Sequence, residues 1–186
     1  MPTILTHPAV PLAIGVALGS RAVSKPLLLA GVIASALPDL DVIAFRFGLA
    51  YAHDFGHRGA SHSILFALVM GLLASLAARP LRASRGLAFL FVFVAGLSHP
   101  LLDMCTNGGL GAALWWPFSD ERFFFPAQVI EASPLSLRRF LSPAGAKVLG
   151  SELLWVWLPC MAVALAALLV RRRKSRGVRG ENLHQS

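Results

Sequence analysis

The sequence predicts an all-α integral membrane protein, a helical bundle of about five membrane-embedded helices with a polar site at one face. Three observations carry this. Hydrophobic residues make up 56% of the chain and charged residues 14%, whereas soluble domains sit near about 45–50% apolar with glycine included and about 25% charged. Mean hydropathy is +0.67. The basic residues Arg171, Arg172, Arg173, Lys174, Arg176 and Arg179 follow directly on an apolar run, as a cytoplasmic flank does when it anchors a spanning helix. This placement reads the net charge of +8 as a topology signal and argues against a nucleic-acid partner.

Five apolar segments stand out, at 8–20, 26–45, 63–78, 86–105 and 153–170. Leu153–Val170 meets the rule of about 18 uninterrupted apolar residues. The other four are shorter or end in polar residues, and are read as spans whose polar ends lie inside the bundle or at the interface. Pro26 suits the first turn of a helix. Pro38 should end or kink the second segment. Ser24 and Ser84 stand where helix caps are expected. Residues 106–150 form the one long non-apolar stretch, rich in Gly, Pro and Phe, and its Trp115–Trp116 and Phe123–Phe125 clusters suit the headgroup level of a bilayer. The first basic residue, Arg21, follows the first apolar stretch. A cleavable signal peptide carries its charge before that stretch, so none is expected. Cys105 and Cys160 form neither a CxxC pattern nor a disulfide framework. Residues 1–170 are read as a single membrane-embedded domain, and 171–186 as a disordered basic tail in the cytoplasm.

Charge sets the expected orientation. With the N-terminus outside, the inner side holds Arg21 and Lys25, then Arg79, Arg82 and Arg85, then the six basic residues of the tail. The outer side holds Arg46, Arg58, Arg122, Arg138, Arg139 and Lys147, spread over far more residues. The positive-inside rule therefore favours N-out and C-in.

On this topology His7, Asp39, Asp41, His53, Asp54, His57, His62, His99 and Asp103 all converge on the outer face, and His184 alone among the histidines does not. Lys and Arg alone fixed the topology, so the clustering is an independent observation. His99 and Asp103 are an i, i+4 pair and share one helix face, which suits two ligands on one ion or a His ligand with a supporting carboxylate. His57 and His62 flank a loop-to-helix junction where Gly59 lets the backbone turn. Arg58 has no ligand capacity but can hold a phosphate oxygen bidentately. Asp39 and Asp41 follow the Pro38 break. Mixed nitrogen and oxygen ligands suit a divalent metal, zinc first, with manganese or iron also compatible. Such a metal lowers the pKa of a bound water towards about 7. Each residue alone has a plainer reading: Asp39 as a cap, Arg58 as a headgroup anchor, the aromatics as interface residues. Taken together, ionisable residues at membrane depth are expensive and point to function. His53 and Asp54 are left outside the site.

Ala36-Leu-Pro-Asp-Leu-Asp41, Phe55-Gly-His-Arg-Gly-Ala-Ser-His-Ser63 and Leu97-Ser-His-Pro-Leu-Leu-Asp-Met104, followed by Trp115-Trp116-Pro117, resemble the YdjM-like family over roughly two-thirds of the chain. Its members are small bacterial inner-membrane proteins described as LexA-regulated metal-dependent hydrolases. The resemblance implies a membrane-embedded helical metal site built from His7, Asp39, Asp41, His57, His62, His99 and Asp103, and a multi-pass location in the bacterial inner membrane. One departure is visible: Val42 follows Asp41 where many members carry a histidine, which bears on metal count. His-x3-Asp also looks like part of the metal site of zinc-dependent phospholipase C and P1-type nucleases, a fold-level analogy.

The expectation is a membrane-bound hydrolase of phosphoesters such as lipid headgroups, with Asp39 and Arg58 as catalytic candidates and the bilayer as partner, because a site at headgroup depth meets lipid first. The competing class is a non-enzymatic membrane protein with a structural metal or His/Asp network. A membrane peptidase ranks below both, since no His-Glu-x-x-His motif is present.

Overall fold

The structure is a computed structural model that describes residues 1–134 and 136–183, with side chains described as far as Arg173 apart from Leu137. Its regular elements are helical, and no strand occurs among the described residues. Helix α1 spans Ala9–Leu18 and ends at Gly19, whose φ of 82° suits a residue without a Cβ. Helix α2 spans Lys25–Ala36. The Ser24 side chain caps it by accepting from the Leu27 amide, and Pro26 occupies its first turn. At Pro38 the chain tightens into a 3₁₀ segment, Leu37–Phe47, because proline has no N–H to continue the α-helical ladder.

A short 3₁₀ turn, Ala60–His62, leads into α3, Ile64–Leu76, capped by Ser63. Helix α4 spans Arg85–Met104 under a Ser84 cap. A long irregular segment follows, tied down by isolated bridges Thr106–Ile130 and Ala112–Phe123. After α5, Leu137–Phe140, come α6, Pro143–Glu152, a π-helical turn, Leu153–Trp157, and α7, Leu158–Leu183.

Among the described residues, three stretches are long and apolar enough to cross a membrane: Lys25–Phe47, Arg85–Met104 and Pro143–Arg173. This corrects the expectation of five spans. Helices α1 and α3 have 10 and 13 residues, about 15 and 20 Å at ~1.5 Å per residue, against a hydrocarbon core of ~30 Å. The last span is also longer than expected. It starts at Pro143 rather than Leu153, because α6 joins α7 through the π turn. Backbone helix continues to Leu183, where a disordered tail was expected. His184 lies outside the described residues.

Helix α3 packs along α4, α4 along α2, and α1 along α7. The shared core holds Leu27, Ala34, Ala74, Ala88, Phe91 and Val92. Small residues let these helices approach closely, as expected where lipid removes the hydrophobic drive between them. A Cβ on Gly31 would overlap the Phe91 ring. Large apolar side chains point outward instead, including Leu72, Leu73 and Leu76 on α3 and Leu153, Leu154, Val163 and Leu165 on the last rod. Arg21 shares a cavity with Arg79 and Arg82, and a second with Arg171. The basic loops therefore meet at one end of the bundle, and the His/Asp residues occupy the ends of the same helices at the other.

Candidate metal centre

Each element delivers its polar residues by its terminus. His7 sits in the turn before α1, Asp39 and Asp41 in the 3₁₀ segment after α2, His57 to His62 in the approach to α3, and His99 with Asp103 in the last turns of α4. Ligand atoms of Asp39, His62, His99 and Asp103 all lie within 4.8 Å of one another, and all four residues are buried. His99 and Asp103 do share a face, with Nε2 3.9 Å from the carboxylate. His7 stacks on His99 with ring centroids 3.6 Å apart. Its Nε2 lies 3.6 Å from Asp39 Oδ2 and 3.9 Å from Asp103 Oδ1.

Hydrogen bonding behind the rings fixes which nitrogens face the cluster. His99 donates from Nδ1 to the Ser35 carbonyl at 2.7 Å. A carbonyl only accepts, so the Nε2 lone pair is the one turned inward. His62 Nδ1 lies 3.1 Å from Asp41 Oδ2, which likewise turns its Nε2 inward. The two Nε2 atoms approach to 3.0 Å. Asp39 keeps both oxygens without a hydrogen-bond partner, as do both nitrogens of His7 and both oxygens of Asp103. The Asp103 oxygens do meet His62 Nε2 at 3.1 Å and Arg58 Nε at 3.0 Å, as ion-pair contacts. Burial pushes the His7 ring down to about 3, with His99 adding to the effect. Burial alone would also depress His62, but hydrogen bonds to Asp103 and Asp41 outweigh it and raise the ring to about 9.

Asp41 and His57 stand differently from the other predicted ligands. A second group, Asp41, His57 and His62, also has ligand spacing and shares His62 with the first. Yet Asp41 already accepts from His57 Nδ1 at 2.6 Å, the Arg58 amide at 3.1 Å and Ser61 Oγ at 2.7 Å, besides its contact with His62. Its oxygens are taken by donors, whereas those of Asp39 are not.

Arg58 is fully buried. Its guanidinium pairs with Asp103 and donates to the Gly108 carbonyl at 3.0 Å and to Thr106 Oγ1 at 2.8 Å. The guanidinium expected to face a substrate phosphate is thus engaged by Asp103, Gly108 and Thr106. Its φ is +63°, so Arg58, rather than Gly59, holds the left-handed conformation in this turn. Gly59 is needed for space, since a Cβ there would overlap the Asp54 carbonyl oxygen.

The residues that sequence reasoning missed are supporting ones. Buried Glu152 accepts from Thr3 Oγ1 at 2.8 Å and Thr6 Oγ1 at 2.7 Å, and also from the Thr3 amide. Trp157 Nε1 donates to Thr6. This network pins the segment that carries His7. Glu152, at the head of an apolar run, was the available signal. Ser61 and Thr106 had none beyond their nearness to His62 and Asp103. His53 and Asp54 are exposed and stay outside both groups.

The comparisons agree with the residues. The model of the YdjM inner membrane protein family matches residues 1–175. The inner membrane protein YbcI of Escherichia coli (strain K12) is 51% identical over 174 residues, covering 93% of this chain and all of that protein. No solved structure matches. A match of this extent, on a chain with three helices able to cross a bilayer, shows that this inner-membrane protein belongs to the YdjM family.

Proposed function

We propose that this chain is a membrane-embedded, metal-dependent phosphoester hydrolase with one divalent ion, zinc first, held by Asp39, His62, His99 and Asp103 and flanked by His7. The observation that carries the reading is the pair of buried carboxylates. Asp39 is buried with neither oxygen hydrogen-bonded, Asp103 is buried beside it with Arg58 and His62 as ion-pair contacts, and both face the inward nitrogens of two histidines. A buried carboxylate without a partner costs several kcal/mol. A cation among these atoms removes that cost, and the mixed nitrogen and oxygen set suits zinc, with manganese or iron also compatible.

A bound divalent ion would supply Lewis acidity and acidify a water at that point. The chain's own residues do the rest. Asp41 holds the His62 tautomer, the Ser35 carbonyl holds that of His99, and Arg58 aims Asp103. Asp39 Oδ1 lies on the His99 side, 3.5 Å from Nε2, and Oδ2 on the His7 side. In this reading Oδ2 takes the proton of an attacking water. His57, bonded to Asp41, is read as support rather than as a ligand.

A non-enzymatic structural site is the second reading, favoured by the complete burial of His62, His99 and Asp103, since a closed site suits structure and an open one catalysis. The test is metal analysis of purified protein followed by a screen of phosphomonoester and phosphodiester lipids, wild type beside Asp39→Asn. One ion per chain with ester cleavage that Asp39→Asn abolishes is the expected result. An ion without cleavage under any divalent metal overturns the hydrolase and leaves the structural site. No ion at all overturns both.

A further inference from the structure

An apolar cleft of about 410 Å³ opens beside the cluster. Its polar end is Asp41 and Ser61, and Leu65, Phe66, Val69 and Trp116 are among its walls. Ser61 donates to Asp41, whose Oδ2 also meets His62, so the cleft ends one side chain away from the inward nitrogens. We infer that this cleft holds the acyl chain of a membrane lipid, entering sideways from the bilayer with its headgroup towards Asp41 and Ser61. The inference rests on the hydrolase reading only for what happens at the headgroup, since occupancy of the cleft by lipid is a separate matter.

Three observations choose this occupant. First, the cleft runs into a bilayer-facing surface. Leu65, Val69, Leu72 and Leu76 repeat at helical spacing along one stripe of α3. Val69 is 43%, Leu72 52% and Leu76 81% exposed. Helix α3 lies along α4, which is long and apolar enough to cross the membrane, so the medium at the open side is hydrocarbon. Second, the length fits. From Leu65 to Leu76 the stripe runs about 17 Å at ~1.5 Å per residue, close to one leaflet's share of a ~30 Å core. Third, the polarity fits. No basic side chain lines the cleft, so its walls take a hydrocarbon chain rather than a phosphate, and its polar groups lie only at the end near the cluster. A lipid lying there has its chain along the apolar walls and its ester bonds beside Asp41.

The test uses the full chain, metal-loaded, in vesicles of phosphatidylethanolamine and phosphatidylglycerol. A trace of phosphatidylglycerol carries a photoactivatable diazirine in its acyl chain. Cross-links mapped by peptide mass spectrometry should fall on Leu65–Val69 several-fold more often than on Leu153 and Leu154, which are as exposed as Val69 or more so at 50% and 56%. Val69→Trp, which fills the mouth, should cut the cleft labelling several-fold and leave metal content unchanged. Leu165→Trp, 58% exposed on α7 and outside the cleft, should change neither. Labelling no denser in the cleft than on Leu153, or labelling indifferent to Val69→Trp, overturns the inference. So does a cleft shielded from lipid by a second copy of the chain, seen as a cross-linked dimer. Failure of the hydrolase reads differently: cleft labelling would persist while neither the lipid nor a water-soluble phosphoester is cleaved.

Discussion

Asp41→Asn separates a supporting carboxylate from a metal ligand. In the native chain both Asp41 oxygens accept, Oδ1 from His57 and Oδ2 from the Arg58 amide and Ser61, with His62 Nδ1 3.1 Å from Oδ2. Asparagine keeps the shape and one acceptor. Its amide nitrogen must then face a donor, either His57 Nδ1 or the group around Oδ2, and the His62 ring loses part of its restraint. Losing such a partner behind a ligating histidine weakens metal binding roughly 10- to 100-fold, or about 1.4–2.8 kcal/mol. Asp103→Ala removes a proposed ligand and leaves Arg58 buried and unpaired. Removing one partner of a buried ion pair costs about 3–5 kcal/mol, so metal retention should fall below detection. The assay is competition against a chromogenic zinc chelator in detergent, with metal content measured beside it. One ion per chain and a graded loss, Asp41→Asn mild and Asp103→Ala complete, is the expected outcome. Two ions per chain, or an Asp41→Asn variant as empty as Asp103→Ala, would refute the assignment of Asp41 as support.

Arg58→Ala should destabilise the loaded protein by roughly 3–5 kcal/mol, because Asp103 loses its buried cation; an unchanged Tm would show that the Arg58–Asp103 pair adds no net stability. The metal-free protein should depend on pH through His62. Its folded pKa is raised from 6.5 to about 9, so the stabilisation is fully present below pH 6.5 and lost as pH rises through about 9. Thermal melts of chelator-treated protein should show that decline, and metal-loaded protein should not. Glu152→Ala strands the hydroxyl donors of Thr3 and Thr6 and should cost roughly 1–3 kcal/mol, with faster proteolysis at the N-terminal segment as the second readout. For orientation, reporter fusions after Arg85 and after Lys174 should read cytoplasmic and one near Ser119 extracytoplasmic; a cytoplasmic signal at Ser119 would invert the N-out arrangement.

The helical class and the clustering of His7, Asp39, His62, His99 and Asp103 were legible because each depends on local signals. Apolar runs, serine caps and the i, i+4 spacing of His99 and Asp103 are written over a few residues, and the alternation of basic loops brings the helix ends together. Span count was less legible. Apolar composition marks 8–20 and 63–78 as membrane segments, but the helices within them stop at Leu18 and Leu76, after about 15 and 20 Å. Composition measures the medium a segment faces, and helix length is set by where Gly19 and the Ala77–Pro80 turn break the ladder. The contacts of Asp41 and Arg58 were not legible at all. Both sets reach across the fold, Arg58 to Gly108 and Thr106 some 50 and 48 residues away. A motif can place a guanidinium near a site without saying whether it faces inward to a substrate or backward to a carboxylate.

Charge at the buried cluster supports one ion rather than two. Asp39, Asp41 and Asp103 bring three negative charges and Arg58 one positive charge, and histidines that bind a metal do so neutral. The set without a cation therefore carries two negative charges in a volume where Asp39, Arg58 and Asp103 are all buried. One divalent ion brings the cluster to neutrality, and a second would leave it as far positive as it began negative. Net charge buried away from water costs several kcal/mol per uncompensated group. The raised His62 ring has a local cause: it sits between Asp41 and Asp103, whose hydrogen bonds and negative charge favour its proton over the opposing effect of burial. The donor arrangement around Asp41 and the charge count are independent of each other, and both favour one ion over two within the proposed site.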